Sequence, residues 1–226
     1  TSPFLDQVAQ ENALFESLYC QAIPTQPSFT SLYTGQYAIT HGIVAHGTTR
    51  QLNEEAPFLS TLLQQHGYTT CAVDNLSSHQ EWFTRGYEFY ITPRQTGQYA
   101  QATPWEAYNA RAIPWLKQHK DEQFFMFVHY WDPHTPYIPP EEYRGLFYEG
   151  DPTDPSNHSL DGLERHPLGE QWRQWFDQHL MPGITDAEYI RAMYDSEIRY
   201  VDNGVRQLLD TMDDLANADD TLVVIF

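Results

Sequence analysis

Two short apolar runs, Thr69–Val73 and Phe124–Val128, constrain this chain most. Phe-Phe-Met-Phe-Val has no polar residue at alternate positions, so neither face of such a strand is left for water. A strand apolar on both faces belongs inside a sheet covered on both sides, and that is the pattern of parallel sheets. Helical periodicity stands between the runs. Residues 57–66 carry Leu59, Leu62 and Leu63 at helical spacing and stop at Gly67. Residues 104–120 read as a helix kinked or broken at Pro114. A long helix is predicted over about 186–216, opened by a Thr185/Glu188 capping box. Its Ile198, Val201, Val205, Leu208, Leu209, Met212 and Leu215 form an apolar stripe. Strands are further predicted at 13–19 and 222–226, with helices at 3–12 and 27–34. Alternating strands and helices imply an α/β fold, a mostly parallel sheet with helices on both faces. Residues 139–184 break the rhythm with Pro, Gly, Asp and His, and read as an insertion or lid.

Charge and cysteine content exclude whole classes. The 31 acids against 12 bases leave a formal net charge of −19, which opposes binding to a phosphate backbone. No apolar run approaches the roughly 18 residues of a membrane helix. Two cysteines, Cys20 and Cys71, make neither a disulfide framework nor a zinc site and read as packing residues on strands.

The chemistry concentrates around Thr25. In Pro24-Thr25-Gln26-Pro27-Ser28-Phe29 a predicted strand is followed by Thr25, and Pro27 opens a helix that Gly35 ends. A hydroxyl at a helix N-terminus meets free backbone N–H groups, which favour an anion such as phosphate or sulfate. Activated by a metal, that hydroxyl can act as a nucleophile. Threonine is also an ordinary cap, so geometry alone leaves both readings open. The Phe124–Val128 strand runs into His129-Tyr130-Trp131-Asp132-Pro133-His134, which places polar groups at the carboxyl edge of the sheet, where α/β proteins bind ligands.

These motifs resemble the sulfatase family of the alkaline phosphatase superfamily. Thr25-Gln26-Pro27-Ser28-Phe29, Thr34-Gly35 and His41-Gly42 follow the family's nucleophile segment. Leu62 to Thr70, Asp132 to Tyr137 and Asp195 to Asp202 match it in order. The resemblance spans nearly the whole chain, as a partial catalytic domain over 1–226 that lacks the family's first metal strand and its second metal loop. It implies a metal-dependent hydrolase of sulfate or phosphate/phosphonate esters, with Thr25 as nucleophile and metal ligand and His134 protonating the leaving oxygen. It gives His46 and Asn75 substrate contacts, and a divalent Ca, Zn or Mn whose other ligands lie outside the chain. The implied partner is a small-molecule, saccharide or lipid ester.

Three departures set this chain apart. The family converts Cys or Ser to formylglycine, and Thr25 cannot become that aldehyde. Phe29 stands where the family has Arg, so no formylglycine is expected. Asp74-Asn75 replaces a Gly-Lys pair, and Asn75 brings no charge. These losses keep a second reading open, a non-catalytic binding or structural domain, and the 226 residues alone are expected to be inactive. His129 and His41 are read as structural. His66, His79, His119, His158, His166 and His179 are read as solvated, as are Asp195, Glu197 and Asp202 on the long helix.

Overall fold

The computed structural model describes residues 1–93, 103–135, 137–215 and 220–226. The elements, in chain order, are α1 (Pro3–Glu11), α2 (Thr25–Thr34), α3 (Ala38–His41), α4 (Leu59–Gln65), β1 (Thr69–Val73), β2 (Phe89–Ile91), α5 (Trp105–His119), β3 (Phe124–Val128), α6 (Glu141–Arg144), α7 (Gly169–His179) and α8 (Ala187–Asp214). The chain divides into two compact units, one of residues 1–12, 95–106 and 130–210, the other of residues 13–94, 107–129 and 211–226.

The second unit holds the sheet. Its order is β2-β1-β3 and both ladders are parallel. Cys71 pairs with Phe89 on one side and Met126 on the other, so the central strand is covered along both edges. Cys71 is fully buried, and burial pushes its thiol up to about 12. The core here joins Tyr33, Ile43, Leu52, Phe58, Leu76, Trp82 and Phe83. Tyr33 stacks on Phe58 with ring centroids 4.6 Å apart. Its hydroxyl lies 2.8 Å from that of Tyr87, and burial raises the pKa of both phenols.

The first unit is built on α8. The buried face of that helix includes Ala192, Met193, Ser196, Glu197, Tyr200, Val201 and Asp202. Residues 139–184, the predicted insertion, carry α6, α7 and a turn of 3-10 helix at Asp161–Arg165. Leu160, Phe176 and Ile184 form a small core there with Trp172 and Trp175 packed against it.

Several expectations need correction. Residues 13–19 and 222–226 are not strands. They join neither edge of the three-stranded sheet, and without a ladder their side chains face water: Phe15 is 77% exposed and Leu222 88%. Cys20 is therefore exposed rather than packed on a strand. The short β2 was missed, because three residues are too few to show a period. α5 continues through Pro114. The cap of α8 is Asp186, whose Oδ1 accepts the Glu188 N–H at 2.9 Å. Thr185 instead donates its hydroxyl to the Asp154 carbonyl at 2.8 Å.

The acids expected to be solvated on α8 are the largest revision. Glu197 is buried, and Asp202 is fully buried. Asp202 accepts the Phe4 N–H at 3.0 Å and the Leu5 N–H at 2.9 Å. Those donors belong to the first turn of α1, whose own cap residue, Ser2, makes no side-chain bond to them. A carboxylate from α8 thus caps a helix 197 residues earlier in the chain.

Candidate active site at the carboxyl edge of the sheet

Local chemistry explains where Thr25 sits. Pro24 precedes the helix and Thr25 is its first residue, so Thr25 lies one position inside the expected cap. Pro27 has no N–H and the Ser28 N–H is taken by the Pro24 carbonyl at 3.1 Å. Among the first-turn donors, only the N–H groups of Thr25 and Gln26 have no partner within the helix. The helix ends as expected at Gly35, whose φ of +64° closes the turn through a 2.9 Å bond to the Ser31 carbonyl.

Three segments are tied to this helix start. Gln26 is buried, and its Oε1 accepts the Gly47 N–H at 2.9 Å. That bond anchors the loop that carries His46. The His46 ring meets His79 at a centroid distance of 5.0 Å, and Gln80 Nε2 donates to the Thr48 carbonyl at 3.0 Å. His79 and Gln80 belong to the segment that leaves β1 through Asn75. Thr25, His46 and Asn75 therefore lie on three segments joined by short contacts. His46 is exposed. Asn75 is fully buried, with its Nδ2 donating to the Tyr108 hydroxyl at 2.8 Å and its Oδ1 unpartnered. An ester oxygen would need that amide to be uncovered and its Nδ2 released.

His41 orders the turn after α2. Its Nδ1 accepts the Ile43 N–H at 3.1 Å, so Nε2 carries the proton and donates to Ser31 Oγ at 2.9 Å. Burial lowers its pKa, in keeping with a neutral ring. His79 is half-buried and His119 buried, the latter stacked on Trp115 with Nδ1 3.0 Å from Glu122. Neither is solvated as the sequence reading expected.

His129 is tied to the end of the sheet. It follows β3 directly, and its backbone N–H bonds to the Val73 carbonyl at 3.2 Å. Its Nδ1 donates to Asp74 Oδ1 at 2.8 Å. Asp74 follows β1, is fully buried, and accepts two further bonds at 2.7 Å, from the Tyr90 hydroxyl and the Asn75 N–H. Burial and then the Asp74 charge raise the Tyr90 phenol. Phe29 lies against the His129 ring, 4.7 Å between centroids, and edge-on to Phe127. Phe29 is one helical turn after Thr25, so the two share a face of α2. Phe29 is thus an apolar wedge between α2 and the ends of the strands. The signal in the sequence was an Asp and a His each directly following a strand that ends in Val.

His134 belongs to the other unit. It is exposed, its N–H bonds the Trp131 carbonyl at 2.7 Å, and its Nδ1 donates to the Thr135 carbonyl at 2.6 Å. Nε2 is the ring nitrogen not used in that bond. Two residues earlier, the Asp132 carboxyl hydrogen-bonds that of Glu197 on α8. Two carboxyl groups bond only when they share a proton. Burial pushes both upward, and the neighbouring Asp132 charge adds to the rise at Glu197. Tyr200 donates to Glu106 in the same cluster. The turn carrying His134 is held to α8 by these acids.

Among the described residues no group of three or more His, Cys, Asp and Glu side chains is placed to hold a metal ion. Among those residues the donor set around Thr25 is a hydroxyl without partner carboxylates, and it does not fit a metal site. Among the same residues no helix is long and apolar enough to cross a membrane.

The family model for sulfatases matches residues 1–226. The chain belongs to the sulfatase family. An N-acetylglucosamine-6-O-sulfatase of Bacteroides thetaiotaomicron is 24% identical over 172 residues, 69% of this chain and 30% of that enzyme. The phosphonate monoester hydrolase of Agrobacterium radiobacter superposes with a TM-score of 0.70 at 19% identity, over 98% of this chain and 56% of its own. A protein solved with its substrate D-glucosamine-2-N,6-O-disulfate superposes with a TM-score of 0.66 at 16% identity, over 97% of this chain and 58% of its own. The α/β architecture with a parallel sheet is thus that of the family, and the chain spans little more than half the length of these solved relatives.

Proposed function

We propose that the protein hydrolyses sulfate or phosphate/phosphonate esters with Thr25 as nucleophile and without formylglycine. One observation carries this reading: Thr25 opens a helix at the carboxyl edge of a parallel sheet, on segments tied to those that bear His46 and Asn75. Tetrahedral oxyanions suit such an edge, and the two unpaired N–H groups of Thr25 and Gln26 can receive one oxygen. Thr25 Oγ gives its proton to solvent and attacks sulfur or phosphorus, and the ester bond breaks with its electron pair left on the leaving oxygen. The leaving oxygen takes a proton from His134 Nε2, and water then releases the product from Thr25. His46 and Asn75 contact the nonbridging oxygens, Asn75 after its amide turns outward. A saccharide ester is the substrate class we favour, since two of the relatives named above act on glucosamine sulfates. Family members generally depend on a divalent metal, and we propose the same requirement for the whole protein.

A specific observation supports a second reading, a non-catalytic domain. Asn75, where the family has a cationic side chain, is fully buried with its donor engaged. The test is to assay the full-length protein against aryl sulfate, aryl phosphate diester and aryl phosphonate, with added Ca, Mn or Zn, beside Thr25→Ala. Loss of at least about 1000-fold in kcat in the variant is expected for a missing nucleophile. Equal activity in both proteins would refute the nucleophile, and no activity in either would favour the second reading.

A further inference from the structure

We propose that Tyr137 and Tyr194 form the surface that holds the substrate's leaving group, a neutral saccharide, with a sugar ring against Tyr194 and sugar hydroxyls on the two phenols. This rests on the reading of the protein as an ester hydrolase whose leaving oxygen is protonated by His134, and it adds what that leaving group is. A general acid must reach the oxygen it protonates, so the leaving group lies beside His134. Tyr137 follows His134 by three residues, a span of about 11 Å at full extension. Tyr194 stands on α8, one helical turn before Glu197, whose carboxyl hydrogen-bonds that of Asp132. The Tyr137 and Tyr194 rings meet edge to face, with centroids 5.3 Å apart and planes at 76°. All of these residues lie in the first unit.

The pair is held in place before any ligand arrives. Pro139, two residues after Tyr137, is buried, and its carbonyl accepts Arg144 Nε at 2.9 Å. The Tyr143 carbonyl accepts Ser196 Oγ at 3.0 Å, and the Tyr143 hydroxyl accepts Asn203 Nδ2 at 2.9 Å. These bonds tie the segment after Tyr137 to the helix that carries Tyr194, and rings already fixed lose little freedom on binding. The surface still faces outward: Tyr194 is exposed and Tyr137 half-buried. Among the described residues neither phenol hydroxyl has a hydrogen-bond partner in the protein. Burial and then the neighbouring Tyr194 raise the Tyr137 phenol, which keeps it a neutral donor. A tyrosine offers an apolar face and a polar tip. A pyranose offers a face of C–H groups and an edge of hydroxyls, so the two match. Neither ring brings a positive charge and the chain carries −19, so this surface disfavours a polyanionic saccharide.

The experiment compares full-length wild type, Tyr194→Phe and Tyr194→Ala on the 6-sulfates of N-acetylglucosamine and galactose. Saturation-transfer NMR follows binding of the two ester-free sugars to the same proteins. If the pair holds the leaving group, Tyr194→Ala raises KM for the better ester about 10-fold, the size of one ring contact, while kcat stays within about 3-fold. Tyr194→Phe keeps the ring but loses a hydroxyl bond, and raises KM about 3-fold. Saturation transfer to the matching sugar falls in the same order. A merely structural pair would lower Tm in Tyr194→Ala with KM and sugar binding unchanged, and that result would overturn the proposal. Should Tyr194→Ala fail to fold, Tyr194→Phe and Tyr137→Phe decide: a raised KM supports the pair, and an unchanged KM in both refutes it. Absence of all ester hydrolysis in wild type would defeat the hydrolase reading instead. Saturation transfer then judges the tyrosine surface by itself: transfer lost in Tyr194→Ala supports it, and none in wild type refutes it.

Discussion

Replacing Asp202 by Ala should destabilise the first unit by about 3–4 kcal/mol. The carboxylate holds two backbone donors, Phe4 N–H at 3.0 Å and Leu5 N–H at 2.9 Å. Hydrogen bonds to a charged partner contribute about 1.5–3 kcal/mol each, so two give an upper range of about 3–6 kcal/mol. Both bonds are only part-buried, and water can reach the released N–H groups in the variant, which argues for the lower half. Part of the same loss can be described as the helix dipole of α1 losing its anion, so it is not added again. Arg199, 3.9 Å from the same carboxylate, is a partly exposed neighbour and adds little. Asp202→Asn keeps one acceptor and should lose about half as much. Urea unfolding gives the global number, and amide exchange gives the local one. Phe4 and Leu5 should lose protection in Asp202→Ala while Cys71 and Ala72 in the sheet keep theirs. A loss under about 0.5 kcal/mol with unchanged exchange at Phe4 and Leu5 would refute the reasoning, since that is the size of an ordinary surface substitution.

Two further predictions follow from α8. The Asp132–Glu197 pair is held by a shared proton and both groups are raised, so the folded state binds a proton that the unfolded chain releases. The stability it lends is present below the ordinary carboxylate range and is lost as pH rises through the raised values. Glu197→Gln supplies a permanent donor, so its stability should fall less between pH 5 and 9 than that of wild type in matched urea titrations. Parallel profiles would count against the shared proton. Gly204 lies under the Trp105 ring, where an added Cβ would sit 2.7 Å from ring carbons. Gly204→Ala should therefore cost about 1–3 kcal/mol despite the better helix propensity of Ala, measured as a lowered Tm; a raised Tm would show that Trp105 moves aside freely.

Periodicity read the elements that bury one long stripe or a continuous apolar run. β1, β3, α2 and α8 all stand near their expected bounds. It failed where an apolar run has no partner to pair with. Residues 13–19 and 222–226 have strand-like composition, yet composition states a preference and a ladder needs a neighbour. The site was legible in part. The helix that opens at Thr25 could be found from Pro27 and Gly35, although the strand expected before it is not formed. The Asp74–His129 bond joins residues 55 apart in the chain, and nothing local marks them as partners. The same holds for Asp202, whose charge on a helix reads as solvated until α1 is seen to need it.

The Asp74–His129 bond also bears on how the sheet chooses its alignment. Strand β3 is apolar at all five positions, so sliding it by one residue along β1 would exchange one greasy face for another at little cost. Alternation normally forbids such a slip, and here it is lacking. His129 supplies the missing information: it meets Asp74 only when Val128 stands opposite Val73. Any other alignment strands a buried carboxylate short of a donor, a penalty on the order of 3–5 kcal/mol. One polar bond at the end of the strand thus reports on the alignment of the whole strand, and the chain can discard misaligned sheets without help from the apolar residues that fill them.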